Sequence, residues 1–173
     1  MNDLSESLLT DLYELTMAQA YVAQNMTGEA VFEFFVRKLP TRRNFFMTAG
    51  LDQVLFFLEQ FHFSEADLIW LEEMGGFTPE TLVAFRAMRF TGDVHAMPEG
   101  TVCFPHEPIL RITAPLPQAQ LVETRVMNLL NFQTMVASKA CRCILAAAGK
   151  PLIDFGLRQI GRASCRERVS SPV

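Results

Sequence analysis

The 173 residues have the composition of a globular protein, with 50% hydrophobic and 20% charged side chains. Of the 15 basic and 19 acidic residues, three Arg and one Glu lie in 160–173, which leaves 12 basic and 18 acidic residues before them. This acidic balance excludes a general nucleic-acid-binding protein, which needs a cationic surface. The sequence has no apolar run of about 20 residues and no signal peptide, which predicts a cytoplasmic protein without membrane contact.

Helices dominate the first half of the predicted fold. The first helix is expected over Thr10–Ala23, where apolar residues recur at helical spacing. "AVFEFFV" (30–36) predicts a strand that is covered on both faces. Three further helices are expected to begin near Ala49, at a Ser64–Asp67 capping box and at Thr78–Pro79. The apolar stripe of the first helix consists of Leu8, Leu12, Leu15, Ala18 and Val22.

The pattern changes to short strands after residue 92. "DVHAMP", "TVCFP" and "PILRITAP" are separated by turn residues and predict an antiparallel β-meander. A long helix is expected over Leu116–Ala148, ended by Gly149, and "PLIDFGLR" (151–158) is expected to form a buried strand. This order predicts an α+β domain over residues 1–148, followed at 149–158 by the first strand of a second domain of β/α units.

The segment "RKLPTRRN" (37–44) is the densest cationic stretch. It places Arg37, Lys38, Arg42 and Arg43 within seven residues of an otherwise acidic chain. Guanidinium groups match the geometry of phosphate oxygens, so this segment is a candidate for binding a phosphorylated ligand. A solvated loop is the simpler alternative.

Two aromatic residues could contribute to a ligand site. Tyr13 lies beside the apolar stripe of the first helix, as either a half-buried amphipathic side chain or a stacking surface for a flat ring. "DFGLR" places Asp154, Phe155 and Arg158 at a strand end, where α/β barrels carry reactive groups. The three His and four Cys fit no metal-binding spacing, and the Cys are expected to be reduced core thiols.

In combination, these segments resemble the nicotinate phosphoribosyltransferase family. The resemblance implies a type II phosphoribosyltransferase-like α/β fold, in which an α+β N-terminal domain with an open-faced antiparallel sheet precedes an irregular α/β barrel. It also implies an enzyme of NAD biosynthesis and salvage that joins nicotinate to phosphoribosyl pyrophosphate, using Mg²⁺ and ATP. The resemblance runs in order from Leu8 to Arg158 through "LLTDLYELTMAQAY", "FVRKLPTRRNFFMTAGLDQVLFFL", "GDVHAMPEG", "EPILRITAP" and "NFQTMVASKACRCILAAAGKPLIDFGLR".

The resemblance implies roles for individual residues. Tyr13 would stack on the pyridine ring, reaching into the site of the partner subunit in a homodimer, and Phe155 would cover the other face of the ring. Arg158 would be a cation of the substrate site, and the cationic segment would help to hold the phosphates. The family's phospho-acceptor histidine lies beyond this chain, so no catalytic residue is assigned within it, and the chain is expected to be inactive alone.

The resemblance ends at Arg158. Family sequences continue after "DFGLR" with another Arg and "AHG", whereas "QIGRASCRERV" follows here and resembles a translated sequencing adapter. Residues 159–173 are therefore expected to be a non-native tail. Nicotinamide or quinolinate phosphoribosyltransferase is the alternative among enzymes. A β-rich carrier module is the alternative of another class, although no Lys lies between Lys38 and Lys139 to hold a biotinyl or lipoyl group.

Overall fold

Five helices and five strands form the part of the chain that the structure describes, residues 5–41 and 43–153 of a computed structural model. The helices are α1 (Leu12–Ala23), α2 (Leu51–Glu59), α3 (Glu65–Met74), α4 (Pro79–Ala87) and α5 (Leu116–Ala147). The strands are β1 (Glu29–Phe35), β2 (Phe46–Met47), β3 (Asp93–Ala96), β4 (Val102–Cys103) and β5 (Pro108–Pro115). The predicted helices are confirmed, with ends that differ by at most two residues where both bounds were predicted.

Local signals explain where two of the helices begin. The Ser64 hydroxyl accepts a hydrogen bond from the amide of Asp67, and the Asp67 carboxylate accepts one from the amide of Ser64, so the predicted capping box is formed. The Thr78 hydroxyl caps α4 by accepting a hydrogen bond from the amide of Thr81, and Pro79 occupies the first position of the helix, where a missing amide hydrogen removes no helical bond.

The strand pairing differs from the predicted meander. β5 is the centre of a three-stranded antiparallel sheet, between β1 and β3. β4 does not pair with either of its neighbours in sequence but with β2, where Phe46 lies opposite Cys103. The predicted connectivity is therefore wrong, because Phe46 and Cys103 are buried together with Ile109 in a small second core that only tertiary contacts define.

The three-stranded sheet has one covered and one open face. Phe32 and Phe34 of β1 pack against the main core on the side of α5, whereas Val31 is 58% exposed on the other side. The prediction that this strand is covered on both faces is wrong, since β1 is an edge strand and the core occupies only one side of the sheet. The predicted open-faced antiparallel sheet is confirmed.

The main core lies between the covered face of the sheet, α5 and the four shorter helices. Its centre is aromatic, with Phe63 and Phe85 stacked at 4.7 Å between ring centroids. α1 contributes Leu15 and Ala18 as predicted, but Leu12 of the predicted stripe is 56% exposed. The helix is rotated relative to that stripe because Glu14, which is fully buried, takes a position facing α5.

The end of the described chain does not continue the fold. Pro151–Ile153 are exposed and form no strand, and no strand of the described residues pairs with them. The rest of the predicted strand, with Asp154, Phe155 and Arg158, lies outside the described residues, as does the tail 159–173. The predicted boundaries of the two domains therefore stay predictions. In the described part, none of the helices has both the length and the apolar character that a bilayer span needs.

Candidate functional site

Residues 37–44, here called the basic loop, follow β1 on the surface. The backbone before the loop is held by the amide of His106, which donates to the carbonyl of Val36 at 2.8 Å. Arg37 and Lys38 are exposed, whereas Arg43 is partly buried and its Nη1 lies 3.6 Å from Sδ of Met135 on α5. Arg42 lies outside the described residues. The loop therefore presents two described cations to solvent and turns a third towards the long helix.

The segment after the basic loop is bonded to one side of α5 by three helix residues, here called the α5 seam: Thr134, Ser138 and Arg142. The Thr134 hydroxyl contacts the amide and the carbonyl of Ala49 at 3.3 and 3.2 Å, and the Ser138 hydroxyl accepts from the amide of Met47 at 2.8 Å. Arg142 Nη2 donates to the carbonyl of Phe45. These contacts cover the free edge of β2 with helix side chains.

The spacing of the α5 seam follows from helix and strand geometry. Its members are four residues apart on α5, a rise of about 6.0 Å per step. The residues they bond, 45, 47 and 49, are two apart along an extended segment, a rise of about 6.6 Å per step. Because the two repeats nearly coincide over the two steps of the seam, the helix and the extended segment can be joined by side-chain hydrogen bonds at all three positions.

Arg142 makes the most contacts in the α5 seam. Besides Phe45, its Nη1 donates to the carbonyl of Ser138 at 2.6 Å, and its guanidinium carbon lies 4.4 Å from the centroid of the Phe45 ring. A guanidinium over an aromatic face gains electrostatic attraction as well as packing. The carbonyl and the ring of Phe45 are therefore both fixed by one side chain, directly at the C-terminal end of the basic loop.

A groove of about 690 Å³ opens between the sheet and α5. Its walls are mostly apolar side chains of β1, β5 and α5, and its charged residues include Arg37 and Glu123. Burial raises the pKa of Glu123, and the neighbouring charge of Glu14 raises it further, whereas a hydrogen bond from Gln120 acts in the opposite direction. The groove is thus lined both by Arg37, a cation of the basic loop, and by Glu123, a carboxyl group whose pKa is raised.

Tyr13 lies on the exposed side of α1. Its side chain is 49% exposed, and its hydroxyl donates to Oε1 of Glu14 at 3.3 Å. Desolvation raises the pKa of the phenol, and the negative charges of Glu14 and Glu123 add to this effect, so Tyr13 stays a neutral donor at physiological pH. The half-buried amphipathic placement is confirmed, and the stacking role stays a prediction.

Glu14 is a fully buried carboxylate with three hydroxyl partners. Thr10 donates to its Oε2, Thr124 of α5 donates to its Oε1 at 2.6 Å, and Tyr13 is the third. A buried charge is tolerated only where hydrogen bonds replace its hydration. Glu14 therefore attaches α1 to α5 beside Tyr13.

The structure brings some of the predicted site residues together and not others. Arg37 lines the groove, whereas Tyr13 does not. Glu123 is the link between them, since it lines the groove and also perturbs Tyr13 electrostatically. Within the described residues, no group of three or more His, Cys, Asp or Glu is arranged to hold a metal ion.

Sequence reasoning missed the α5 seam and Glu14. The signal for the seam was present, because Thr134, Ser138 and Arg142 repeat every four residues and place three polar groups on one side of a largely apolar helix. Glu14 was overlooked because a Glu in the first turn of a helix is ordinarily a solvated residue that favours the helix dipole.

Solved structures that share this fold include two enzymes of pyridine nucleotide chemistry. The crystal structure of human nicotinic acid phosphoribosyltransferase superposes with a TM-score of 0.79 and 35% identity, over 88% of this chain and 32% of that one. Nicotinate-nucleotide pyrophosphorylase from Pyrococcus furiosus superposes with a TM-score of 0.71 and 24% identity, over 95% of this chain and 36% of that one, which supports the fold alone. The helices and the open-faced sheet thus form the N-terminal fold of a phosphoribosyltransferase.

Sequence comparison defines the family within this class. Residues 8–131 match the nicotinate phosphoribosyltransferase (NAPRTase) N-terminal domain. The chain is 54% identical over 153 residues to nicotinate phosphoribosyltransferase pncB2 of Mycobacterium tuberculosis, covering 88% of this chain and 33% of that protein. It is 38% identical over 158 residues to the Bacillus subtilis enzyme of the same name, covering 91% and 32%. The chain therefore belongs to the nicotinate phosphoribosyltransferase family, and it spans about a third of the length of these relatives. This membership excludes the carrier module.

Proposed function

We propose that this chain is the N-terminal part of a nicotinate phosphoribosyltransferase, which forms nicotinate mononucleotide and pyrophosphate from nicotinate and phosphoribosyl pyrophosphate in NAD biosynthesis and salvage. The observation that carries the proposal is the basic loop, a cationic segment held at both ends in an otherwise acidic chain. Its exposed Arg37 and Lys38 have the charge and the access that a diphosphate requires.

The chemistry of the reaction explains why such a loop is useful. Displacement of pyrophosphate from C1 of the ribose develops positive charge on the sugar and negative charge on the leaving group. Cations fixed around the diphosphate stabilise that negative charge, and they also align the sugar with the incoming ring nitrogen. Arg37, Lys38, Arg42 and Arg43 are proposed to contribute these cations.

Tyr13 is proposed to form one wall of the nicotinate site. Its exposed ring and the hydrogen bond that orients its hydroxyl suit a rigid stacking surface for a pyridine ring. In this proposal the enzyme is a homodimer, and Tyr13 reaches into the site of the partner subunit. Phe155 and Arg158, which lie outside the described residues, complete the ring site.

Mg²⁺ and ATP belong to the proposal in different ways. Exposed cations of the basic loop fit the phosphates of ATP as they fit those of phosphoribosyl pyrophosphate. For Mg²⁺, the described residues gather no set of three carboxylate or imidazole ligands. We therefore assign no Mg²⁺ ligand to this part of the chain, and an ion bound to substrate phosphates needs few protein ligands.

A chimeric enzyme tests the proposal. Residues 1–153 of this chain replace the corresponding N-terminal third of the Mycobacterium tuberculosis relative, and product is measured with nicotinate, nicotinamide or quinolinate as the second substrate. We expect nicotinate mononucleotide to form with nicotinate and much less product with the other two rings. The 173-residue chain alone is expected to form none, since it spans a third of its relatives.

Two variants test whether the cations of the basic loop bind phosphoribosyl pyrophosphate. Combined Arg37→Gln and Lys38→Gln substitutions in the chimera are expected to raise the KM for phosphoribosyl pyrophosphate. Arg86→Gln, which removes an exposed Arg of α4 that pairs with Glu65 of α3, should leave it unchanged. A chimera with the size and thermal transition of the intact relative, but without product from nicotinate, would refute the proposed function. Preferred use of nicotinamide or quinolinate would replace it with the alternative.

A further inference from the structure

We propose that Arg142 is a positioning residue for the basic loop, and that it thereby sets the affinity of the enzyme for its diphosphate substrate. The inference rests on the proposed function for its kinetic part only. The geometric part, that Arg142 holds the loop closed, concerns this chain alone and is tested separately.

The contacts of Arg142 all meet at the end of the basic loop. Its guanidinium bonds the carbonyl of Phe45, covers the Phe45 ring at 4.4 Å and is itself oriented by the carbonyl of Ser138. The other end of the loop is held by the bond from His106 to Val36. Between these two attachments, Arg43 contacts Met135 through one guanidinium nitrogen at 3.6 Å. Arg142 therefore fixes both the carbonyl and the ring of Phe45, the first residue after the loop.

The identity of the side chain matters for this role. Lys has its three donors on one nitrogen and no planar face, whereas the guanidinium of Arg142 bonds two carbonyls through two separate nitrogens and lies over an aromatic ring at once. Phosphate recognition by arginines depends on the direction of their N–H groups, so a small displacement of the loop weakens binding without loss of charge. Arg142 acts through the loop and is not assigned a contact with substrate.

Limited digestion with trypsin tests whether Arg142 closes the loop. The loop contains cleavage sites after Arg37, Lys38 and Arg43, and digestion of a segment follows the population of its open conformation. Cleavage at these sites in the chimera is measured by mass spectrometry relative to cleavage after Arg89, which lies beyond α4. Arg142→Gln is expected to accelerate loop cleavage about tenfold, as the loss of one charge-assisted hydrogen bond implies, and Arg142→Lys to have an intermediate effect.

A matched control separates loop closure from general loosening of α5. Arg125 is also an arginine of α5 that attaches a distant segment, through an ion pair with Glu6 at 2.7 Å. Arg125→Gln should leave cleavage in the basic loop unchanged. Ser138→Ala, which removes the neighbouring bond to Met47, should accelerate it to a smaller extent than Arg142→Gln, and it provides a second test if the Arg142 variant folds poorly.

The kinetic part is tested by comparing the change in the Michaelis constant for phosphoribosyl pyrophosphate with the change in that for nicotinate. Arg142→Gln is expected to raise the KM for phosphoribosyl pyrophosphate about tenfold, and to leave the KM for nicotinate unchanged. An equal rise in both Michaelis constants would overturn the positioning role, as would unchanged loop cleavage. If the unsubstituted chimera has no activity but Arg142→Gln still accelerates loop cleavage, the proposed function fails while the assignment of Arg142 as the closing residue is supported.

Discussion

Removal of one hydroxyl should reveal how strongly the buried carboxylate of Glu14 attaches α1 to α5. Thr124→Val keeps the shape of the side chain but removes the hydroxyl, which lies 2.6 Å from Oε1 of the fully buried Glu14 and 3.2 Å from Oδ2 of the exposed Asp11. A hydrogen bond to a charged group contributes about 1.5–3 kcal/mol. Because Thr10 and Tyr13 still donate to the carboxylate, we expect a loss near the middle of that range, about 2 kcal/mol.

The assay is urea unfolding of the chain, followed by circular dichroism at pH 7. The double-mutant cycle with Glu14→Gln isolates the charged part of the interaction, because Thr124→Val should cost only about 1 kcal/mol where its partner is a neutral amide. Thr91→Val is the matched control, since its hydroxyl also bonds a residue of α5, Gln118, but at an exposed and uncharged site. We expect that control to change stability by less than about 0.5 kcal/mol.

Two results would refute this reasoning. A Thr124→Val variant as stable as the Thr91→Val control would show that the bond to Glu14 adds nothing to stability. An equal cost of Thr124→Val with and without the Glu14→Gln substitution would show that the charge of Glu14 is irrelevant, and that the loss comes from other surroundings of the hydroxyl, which include Asp11. Either result would also remove the argument that this bond fixes the helix carrying Tyr13.

Three further predictions concern a close backbone contact, a pH dependence and the ring site. Gly92→Ala should destabilise the chain by about 1–3 kcal/mol in urea unfolding, because a Cβ there would lie 2.5 Å from Cβ of Ala114, whereas Gly28→Ala, which meets nothing within 4 Å, should be tolerated. Folding raises the pKa of Glu123. Its contribution to the stability of the fold is therefore fully present at pH values below the pKa of the unfolded chain, and it is lost as the pH rises through the higher pKa of the folded chain. Glu123→Gln should therefore raise the melting temperature more at pH 7 than at pH 4, and an equal gain at both pH values would contradict this. Tyr13→Leu in the chimera should raise the KM for nicotinate several-fold, as expected for a stacking contact of about 1 kcal/mol, without changing that for phosphoribosyl pyrophosphate.

Local signals in the sequence predicted the helices well. The capping box of Ser64 and Asp67 and the Thr78–Pro79 pair each act within one turn of chain, so no tertiary contact is needed to read them. The length of α5 was predicted to within one residue, since Gly149 follows its end. The same short-range logic identified β1, β3, β4 and β5 as strands.

Strand pairing and the candidate site could not be read in this way. β2 has only two residues, and its pairing with β4 depends on a shared core with Ile109 and on the α5 seam, more than 80 residues away in sequence. The basic loop was found because charge density is a local property. The buried position of Glu14 and the contacts of Arg142 depend on partners from distant segments, which a pattern in one segment does not specify.

The α5 seam also constrains the length of the chain over residues 45–49. The backbone groups of residues 45, 47 and 49 bond α5, while Phe46 enters the second core and the Thr48 hydroxyl donates to the carbonyl of Pro98 at 2.8 Å. One inserted or deleted residue would exchange these two sets, so that Phe46 would turn towards the helix and the seam would lose its acceptors and donors. Among related sequences, insertions and deletions should therefore be absent from the five residues that follow the basic loop.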